Sequence, residues 1–186
     1  MAQLIYSAIC SLDLYINDAA GSFEWAAPDE QVHAFVNTQE RPLGTYLLGR
    51  GMYDTLKVWD TLGAEPDASP ASIEFAEIWR SADKIVYSAT LESVETKRTR
   101  LEREFDAAAV RTMVDAADRD VSIGGARLAA AALHAGIVDR IDLFLNPVVV
   151  GGGTRALPDD VHVDLHLRDS HRFDNGVVYL KYALSS

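Results

Sequence analysis

The alternation of two kinds of segment constrains this chain most. Short runs rich in β-branched and aromatic residues, at 4–11, 45–48, 84–88 and 120–123, are separated by longer stretches whose apolar residues recur at helical spacing. Parallel strands need a crossover between them, and a helix is the usual one. The alternation therefore predicts an α/β domain built on a largely parallel sheet. The predicted helices are 29–38, 73–82, 107–117 and 126–135. In the first, Val32, Phe35 and Val36 share a face behind Pro28, Asp29 and Glu30, residue types that suit a helix start. The last two are alanine-rich, and the second runs into Gly136, which closes a helix readily by adopting the left-handed conformation. After Gly136 the texture changes. The runs 141–150, 161–168 and 177–184 leave no room for helices between them, which predicts antiparallel strands in the C-terminal third. The stretch 63–72 is too short to separate domains, so residues 1–186 read as one domain.

Composition narrows the partners. A formal net charge of −11 disfavours nucleic acid and anionic membranes, which demand clustered Lys and Arg. Any anionic ligand must be caught locally. The single cysteine, Cys10, lies inside an apolar run, which reads as a buried reduced thiol rather than a disulfide partner or nucleophile. The first residues go straight into a strand-like run, and no apolar stretch approaches roughly 18 residues. The expectation is a cytoplasmic protein without an export signal or a membrane span.

Two glycine-bearing junctions stand between a predicted strand and a helix. In Val121-Ser122-Ile123-Gly124-Gly125-Ala126, glycines let the backbone approach a ligand closely, and the N–H groups of the following helical turn attract a phosphate. A tight turn without a ligand accounts for the same residues. In Leu48-Gly49-Arg50-Gly51-Met52-Tyr53, an arginine sits where the helix dipole opposes it and so asks for an anion nearby. The alternative is a solvent-facing arginine. Two such junctions in one domain favour a ligand with several phosphates. A third cluster, Gly151-Gly152-Gly153, follows the apolar run ending at Val150 and suits either close passage of a flat ring or a flexible turn.

Acidic and basic candidates complete the inventory. Asp13, just past the first strand, stands at the edge where open α/β sheets place ligands, to orient a substrate or supply a proton, or merely to form a turn. Glu30 is a second acid, which helix-start stabilisation also explains. The segment 95–104 carries Lys97, Arg98, Arg100 and Arg103, either a solvated charged face or a contact to a ligand phosphate. If 161–168 is a strand, His162, Asp164, His166 and Arg168 share one face, yet residues two apart on a strand do not by themselves converge on a metal. Motifs for serine hydrolases, zinc proteases and lysine P-loops are absent from the sequence.

The ordered set Ser11-Leu12-Asp13, Gly49-Arg50 with Tyr53, Ser88 after the middle strand, Gly124-Gly125-Ala126, and Asn146-Pro147-Val148-Val149-Val150-Gly151-Gly152-Gly153-Thr154 covers nearly the whole chain. It resembles the dihydrofolate-reductase-like family, specifically the riboflavin-biosynthesis reductase (RibD C-terminal domain) type. The resemblance implies a three-layer fold, NADPH as cofactor, and contacts to it from Gly49, Arg50, Met52, Ser88, Gly124, Gly125, Ala126 and Arg127. Ser88 would lie near the adenosine 2′-phosphate. It further implies a substrate pocket lined by Asp13, Trp25 and Glu30, with Asp13 and Glu30 as catalytic candidates, and a homodimer. Two departures stand out. Relatives carry glycine where Leu14 stands, and dihydrofolate reductases carry threonine where Met52 stands. No deaminase zinc motif accompanies the reductase unit. The implied activity is NADPH-dependent reduction of a pterin-like or pyrimidine-like small molecule, like that of 5-amino-6-(5-phosphoribosylamino)uracil reductase. The competing expectations are a non-catalytic nucleotide-binding or oligomerisation module and, through His162 and His166, a metal enzyme.

Overall fold

Every predicted helix has a physical start in the computed structural model, which describes residues 1–63, 65 and 67–185. Helix α1 (Glu30–Glu40) is capped by the Asp29 carboxylate, which accepts the Val32 N–H; α3 (Pro70–Ser81) by the Ser69 hydroxyl, with proline at its first position; and α4 (Ala107–Asp115) by Asp106. Two helices differ. In α2 (Arg50–Leu56) and α5 (Ala126–His134) the capping residues are Gly49 and Gly125, and no side chain bonds the first turn. Helix α5 ends where Gly136 takes φ +65 and the Ile137 N–H returns to the Ala132 carbonyl.

The strands are β1 (Leu4–Ser11), β2 (Tyr15–Asn17), β3 (Leu43–Gly49), β4 (Asp83–Tyr87), β5 (Thr99–Glu102), β6 (Asp120–Gly124), β7 (Arg140–Asn146), β8 (Thr154–Arg155), β9 (Leu165–Arg172) and β10 (Val178–Leu184). Among the described residues eight of them form one sheet in the order β5-β4-β3-β6-β1-β7-β10-β9, and β2 pairs with β8 separately. The first six strands of that order run parallel, while β10 is antiparallel to both β7 and β9. This is the predicted mixed α/β architecture, mostly parallel with antiparallel C-terminal strands.

Alternation along the strands divides the core into two layers around the sheet. On one face Tyr6, Cys10, Leu47, Ile85, Ile123 and Leu143 pack under Val110 and Val114 of α4 and Leu128, Ala129 and Ala132 of α5. On the other, Tyr46, Leu48 and Val86 meet Tyr53 and Trp79, and Phe144 and Tyr179 meet Val32, Phe35 and Val36 of α1. Truncating a fully buried strand residue such as Leu47 to alanine costs about 2–5 kcal/mol. Cys10 is buried and free, and burial pushes its thiol up to about 12, so it is packing rather than a nucleophile. No helix among the described residues is long and apolar enough to cross a membrane.

Two strand boundaries depart from expectation. The run at 141–150 stops pairing at Asn146, because Pro147 has no N–H for the ladder. The run at 161–168 is displaced, since pairing with β10 begins only at Leu165 opposite Leu184. Val161 instead packs against the core, and the Asp164 carbonyl takes the Ser185 N–H. His162 and Asp164 therefore precede the strand, and the shared face proposed for them with His166 and Arg168 is not formed. His166 Nε2 pairs with the Ser185 hydroxyl at 2.9 Å. Among the described residues no group of three or more His, Cys, Asp or Glu is placed to hold a metal.

Candidate functional site

The parallel order collects the candidates along one edge. Ser88 follows β4, Gly49 ends β3, Gly124 ends β6, Asp13 follows β1 and 147–153 follow β7, and these strands are consecutive neighbours in the sheet. The register keeps their carboxyl ends level: Gly49 pairs with Tyr87, Leu48 with Gly124, and Ser11 with Asn146. Open α/β sheets bind ligands along this edge.

At its centre the two glycine junctions touch. A Cβ on Gly125 would lie 3.6 Å from the Gly49 nitrogen and 3.7 Å from its Cα, so the starts of α2 and α5 lie side by side. Gly125 has φ +97, a conformation that L side chains rarely adopt, and this turns the chain from β6 into α5. Gly124 is constrained for a different reason. Its Cβ would meet Met52 Cγ at 3.1 Å and Leu48 Cδ2 at 3.3 Å, which makes Met52 the apolar floor under the junction rather than a polar contact. Ala126 opens α5, and Arg127 in the same turn is exposed, with no ion pair among the described residues. Arg50 is exposed, donates from Nη1 to Thr90 Oγ1 at 3.1 Å and lies 3.6 Å from Asp54. Ser88 Oγ accepts the N–H groups of Thr90 and Leu91, which leaves its own proton to donate.

Beyond β1 the site is a pair of loops tied together by Asp13. Its carboxylate accepts the N–H groups of Val150 at 3.2 Å and Gly151 at 2.8 Å. A hydrogen bond from Ser11, with those from the Gly151 and Val150 backbone, holds its pKa below the usual carboxylate value. Asp13 is thus an ionised clamp, and the proton-donating role expected of it has no support in this geometry. The next residue, Leu14, has φ +64, a left-handed conformation that glycine would adopt without strain. The third glycine cluster proves to be a close approach, because a Cβ on Gly153 would strike the Asn17 carbonyl oxygen, where β2 and β8 pair. Asn17, which takes the Thr154 N–H, carries no sequence signal that would have singled it out, whereas Asn146, whose amide donates to the Cys10 carbonyl, opens the last element of the ordered set.

Glu30 is likewise occupied. Its carboxylate accepts the Ala71 N–H at 3.1 Å and a hydrogen bond from Ser69, which together lower its pKa. It completes the cap of α3 rather than that of its own helix, and it is an ionised group, not a neutral acid. Trp25 sits in a short 3-10 turn (Glu24–Ala26) before α1, half-buried, with Nε1 buried and without a hydrogen-bond partner among the described residues. A buried donor without a partner is costly unless something accepts from it. Nearby in sequence, His33 packs against Trp59 and Phe75, and burial lowers its pKa.

A mostly parallel α/β sheet with antiparallel C-terminal strands, whose carboxyl edge brings two glycine junctions into contact, defines the class of fold. The RibD C-terminal domain pattern matches residues 2–179, and the chain belongs to that family. Among curated proteins it is 25% identical over 187 residues to the uncharacterized protein YyaP of Bacillus subtilis, covering 97% of this chain and 94% of that one. Among solved structures it resembles a putative riboflavin biosynthesis protein from Shewanella sp. PV-4, with a TM-score of 0.75, 18% identity and 99% of both chains covered. It also resembles a pyrimidine reductase-like protein from Corynebacterium diphtheriae, with a TM-score of 0.67 at 14% identity over 100% of this chain and 92% of that one. The deaminase and 5-amino-6-(5-phosphoribosylamino)uracil reductase of Thermotoga maritima matches at a TM-score of 0.66 and 14% identity over 99% of this chain, which spans 57% of that protein. The fold is thus that of RibD-type reductases.

Proposed function

We propose that this protein is an NADPH-dependent reductase of a pterin-like or pyrimidine-like small molecule. The observation that carries the reading is the contrast among helix starts. The first turns of α1, α3 and α4 are closed by side chains, whereas those of α2 and α5, set against each other at Gly49 and Gly125, are open, with Arg50 beside them. Open N–H groups and an arginine at one place fit a pyrophosphate. Gly49, Arg50, Gly124, Gly125, Ala126 and Arg127 would hold it, with Met52 as floor and Ser88 toward the adenosine end. Bound there, the cofactor supplies hydride to a C=N or C=O bond. The chain's own task is alignment. Asp13 fixes the 150–151 backbone against the end of β1, and the unpartnered Trp25 Nε1 is the donor available to a substrate acceptor.

The negative net charge supports a small-molecule partner rather than nucleic acid or membrane, and a cytoplasmic location belongs to the same reading. So does a homodimer, which the half-buried Val178, Leu180 and Tyr182 of β10, on the face away from α1, support. A non-catalytic nucleotide-binding module is the second reading, because both candidate acids are committed to backbone N–H groups. Titration of tryptophan fluorescence with NADPH, followed by absorbance at 340 nm against pterin, pyrimidine and quinone-type substrates, separates the two. The reductase reading expects saturable quenching and turnover with at least one class. Gly125→Asp, which puts a strained backbone and a negative charge at the junction, should weaken NADPH binding at least about tenfold. Quenching without turnover across all classes favours the module, and wild-type protein that binds no dinucleotide overturns both.

A further inference from the structure

The carboxyl edge of the sheet is divided in charge. Its β4, β3 and β6 half carries cations, since Arg50 and Arg127 are exposed beside the glycine junctions. Arg103, after β5, donates to the Ser88 and Leu91 carbonyls, while Arg98 and Arg100 pair with Asp83 and Glu102 as a solvated edge strand would. Past β1 and β7 the character reverses. Every charged residue from 12 to 30 is acidic, and 147–154 carries no charge. The basic groups of the flanking elements are engaged or distant: Arg155 pairs with Asp159 at 3.0 Å, His33 packs on Trp59 and Phe75, and Arg172 lies on β9, three strands from β1. The same loops leave apolar side chains in water. Val149 is 67% exposed and Leu12 59%, and the two adjoin, because the Leu12 N–H donates to the Val148 carbonyl at 2.8 Å. The turn that holds Trp25 lies against β1.

This division bears on what the acceptor half can take. Hydrogen bonds from Ser11 and from Ser69 hold the Asp13 and Glu30 carboxyls below the usual carboxylate value, so both are anions. A phosphate brought here would meet like charge and exchange its hydration for the methyl groups of Leu12 and Val149. A flat uncharged ring does the reverse, because it covers those side chains and asks only for neutral partners. The donor assigned to the substrate, Trp25 Nε1, is a single neutral N–H, which matches a ring carbonyl or ring nitrogen rather than a dianion. The Thermotoga maritima protein is named for a phosphoribosylated uracil. We propose that the substrate of this chain is instead a flat heterocycle without a phosphate group, which covers Leu12 and Val149 at the carboxyl ends of β1 and β7. The inference rests on the reductase reading above and specifies the substrate class at that same site. Phosphate is then taken only at the cationic half, as part of the dinucleotide.

The experiment titrates NADPH-saturated protein by calorimetry with pairs of rings that differ by one phosphate: uridine and uridine 5′-monophosphate, riboflavin and flavin mononucleotide, 6-hydroxymethylpterin and its phosphate ester. In at least one pair the phosphate-free member should bind at least about tenfold more tightly than its ester at low salt. Added salt should narrow that gap, because it screens the repulsion. Val149→Lys places a cation where the side chain is exposed, and melting curves and circular dichroism show whether the variant folds. It should improve binding of the ester and weaken that of the phosphate-free ring, closing the gap to less than about threefold. An ester that binds wild type as tightly as its partner, or more tightly, overturns the proposal. So does NADPH-loaded protein that takes no phosphate-free ring, and a gap that Val149→Lys leaves unchanged removes the β7 loop from the site. These outcomes leave the reductase reading standing, whereas wild type that binds no NADPH at the start of the titration ends that reading and this one together.

Discussion

Leu14 shows how a single backbone angle accounts for a departure that the sequence only flagged. The turn from β1 closes with the Leu14 N–H on the Ser11 carbonyl and leaves Leu14 at φ +64, while its side chain packs against the α4–α5 core layer. A left-handed conformation costs a leucine about 1–2 kcal/mol, and a side chain that is only partly buried recovers a similar amount. The usual order of alanine and glycine should therefore reverse. Leu14→Gly relieves the angle and loses the packing, remaining within about 1 kcal/mol of wild type, whereas Leu14→Ala loses the packing and keeps the angle. In urea denaturation the glycine variant should be the more stable of the two by about 1 kcal/mol. Alanine equal to or better than glycine would mean that the positive angle is not maintained. The glycine junctions were legible for a related reason, since Gly125 takes a φ that favours glycine and Gly124 leaves little room for a side chain against Met52 and Leu48. Asp13 and Glu30 were legible as acids at the right edge, but not as ionised clamps. What occupies a carboxylate is a backbone N–H more than a hundred residues away for Asp13 and forty-one away for Glu30, and no local pattern encodes that.

At the scale of elements, α1 is held at several levels. Glu30 caps α3, the buried Asn37 donates to the Ala71 carbonyl and to Glu74, and at the far end Glu40 accepts the Tyr46 hydroxyl of β3 at 2.8 Å. Burial raises the Glu40 pKa from its ordinary 4.5 to about 7, with the Asp142 carboxylate adding to the rise and the Tyr46 hydroxyl and Arg140 opposing it. Between those values the folded chain keeps a proton that the unfolded chain has lost. The stability tied to the neutral acid is therefore complete below pH 4.5 and falls as pH rises through 7. Wild type should lose on the order of 1–2 kcal/mol from this group between mildly acidic and mildly alkaline solution, and Glu40→Gln should flatten that slope. Parallel slopes for the two proteins would show that Glu40 does not titrate differently on folding. Helix existence and type were readable here because caps and periodicity are local. The start of β9 was not, because it is set by where β10 offers a partner rather than by the alternation of residues 161–168.

For the whole molecule, the two faces of the sheet are covered unequally. Helix α1 lies over Tyr179 and Phe144 on one face of the C-terminal strands. On the other, Val178, Leu180 and Tyr182 of β10 are half-buried and join no buried cluster, and Leu167 of β9 is 54% exposed. On this face β10 carries no charge, while β9 sets Ser170 and Arg172 opposite Leu180 and Val178 at one end; the apolar stretch of β10 with Leu167 calls for a covering layer. The homodimer proposed above would supply one through a two-fold contact in which the same patch meets itself, sheet on sheet. The reading of β10 as a strand with apolar residues on both faces was available from the run 177–184; which face lacked a helix was not, since that depends on where α4 and α5 end. Light scattering on the wild-type protein should give twice the 20.4 kDa chain mass. Leu167→Asp, exposed in the single chain and so harmless to its folding, should shift the equilibrium to monomer, and Leu180→Asp should do so more completely because it lies at the centre of the patch. Circular dichroism and NADPH titration on the same samples separate loss of assembly from loss of fold. A wild-type monomer, or a dimer indifferent to both substitutions, would leave the face open to water and place any self-association elsewhere on the surface.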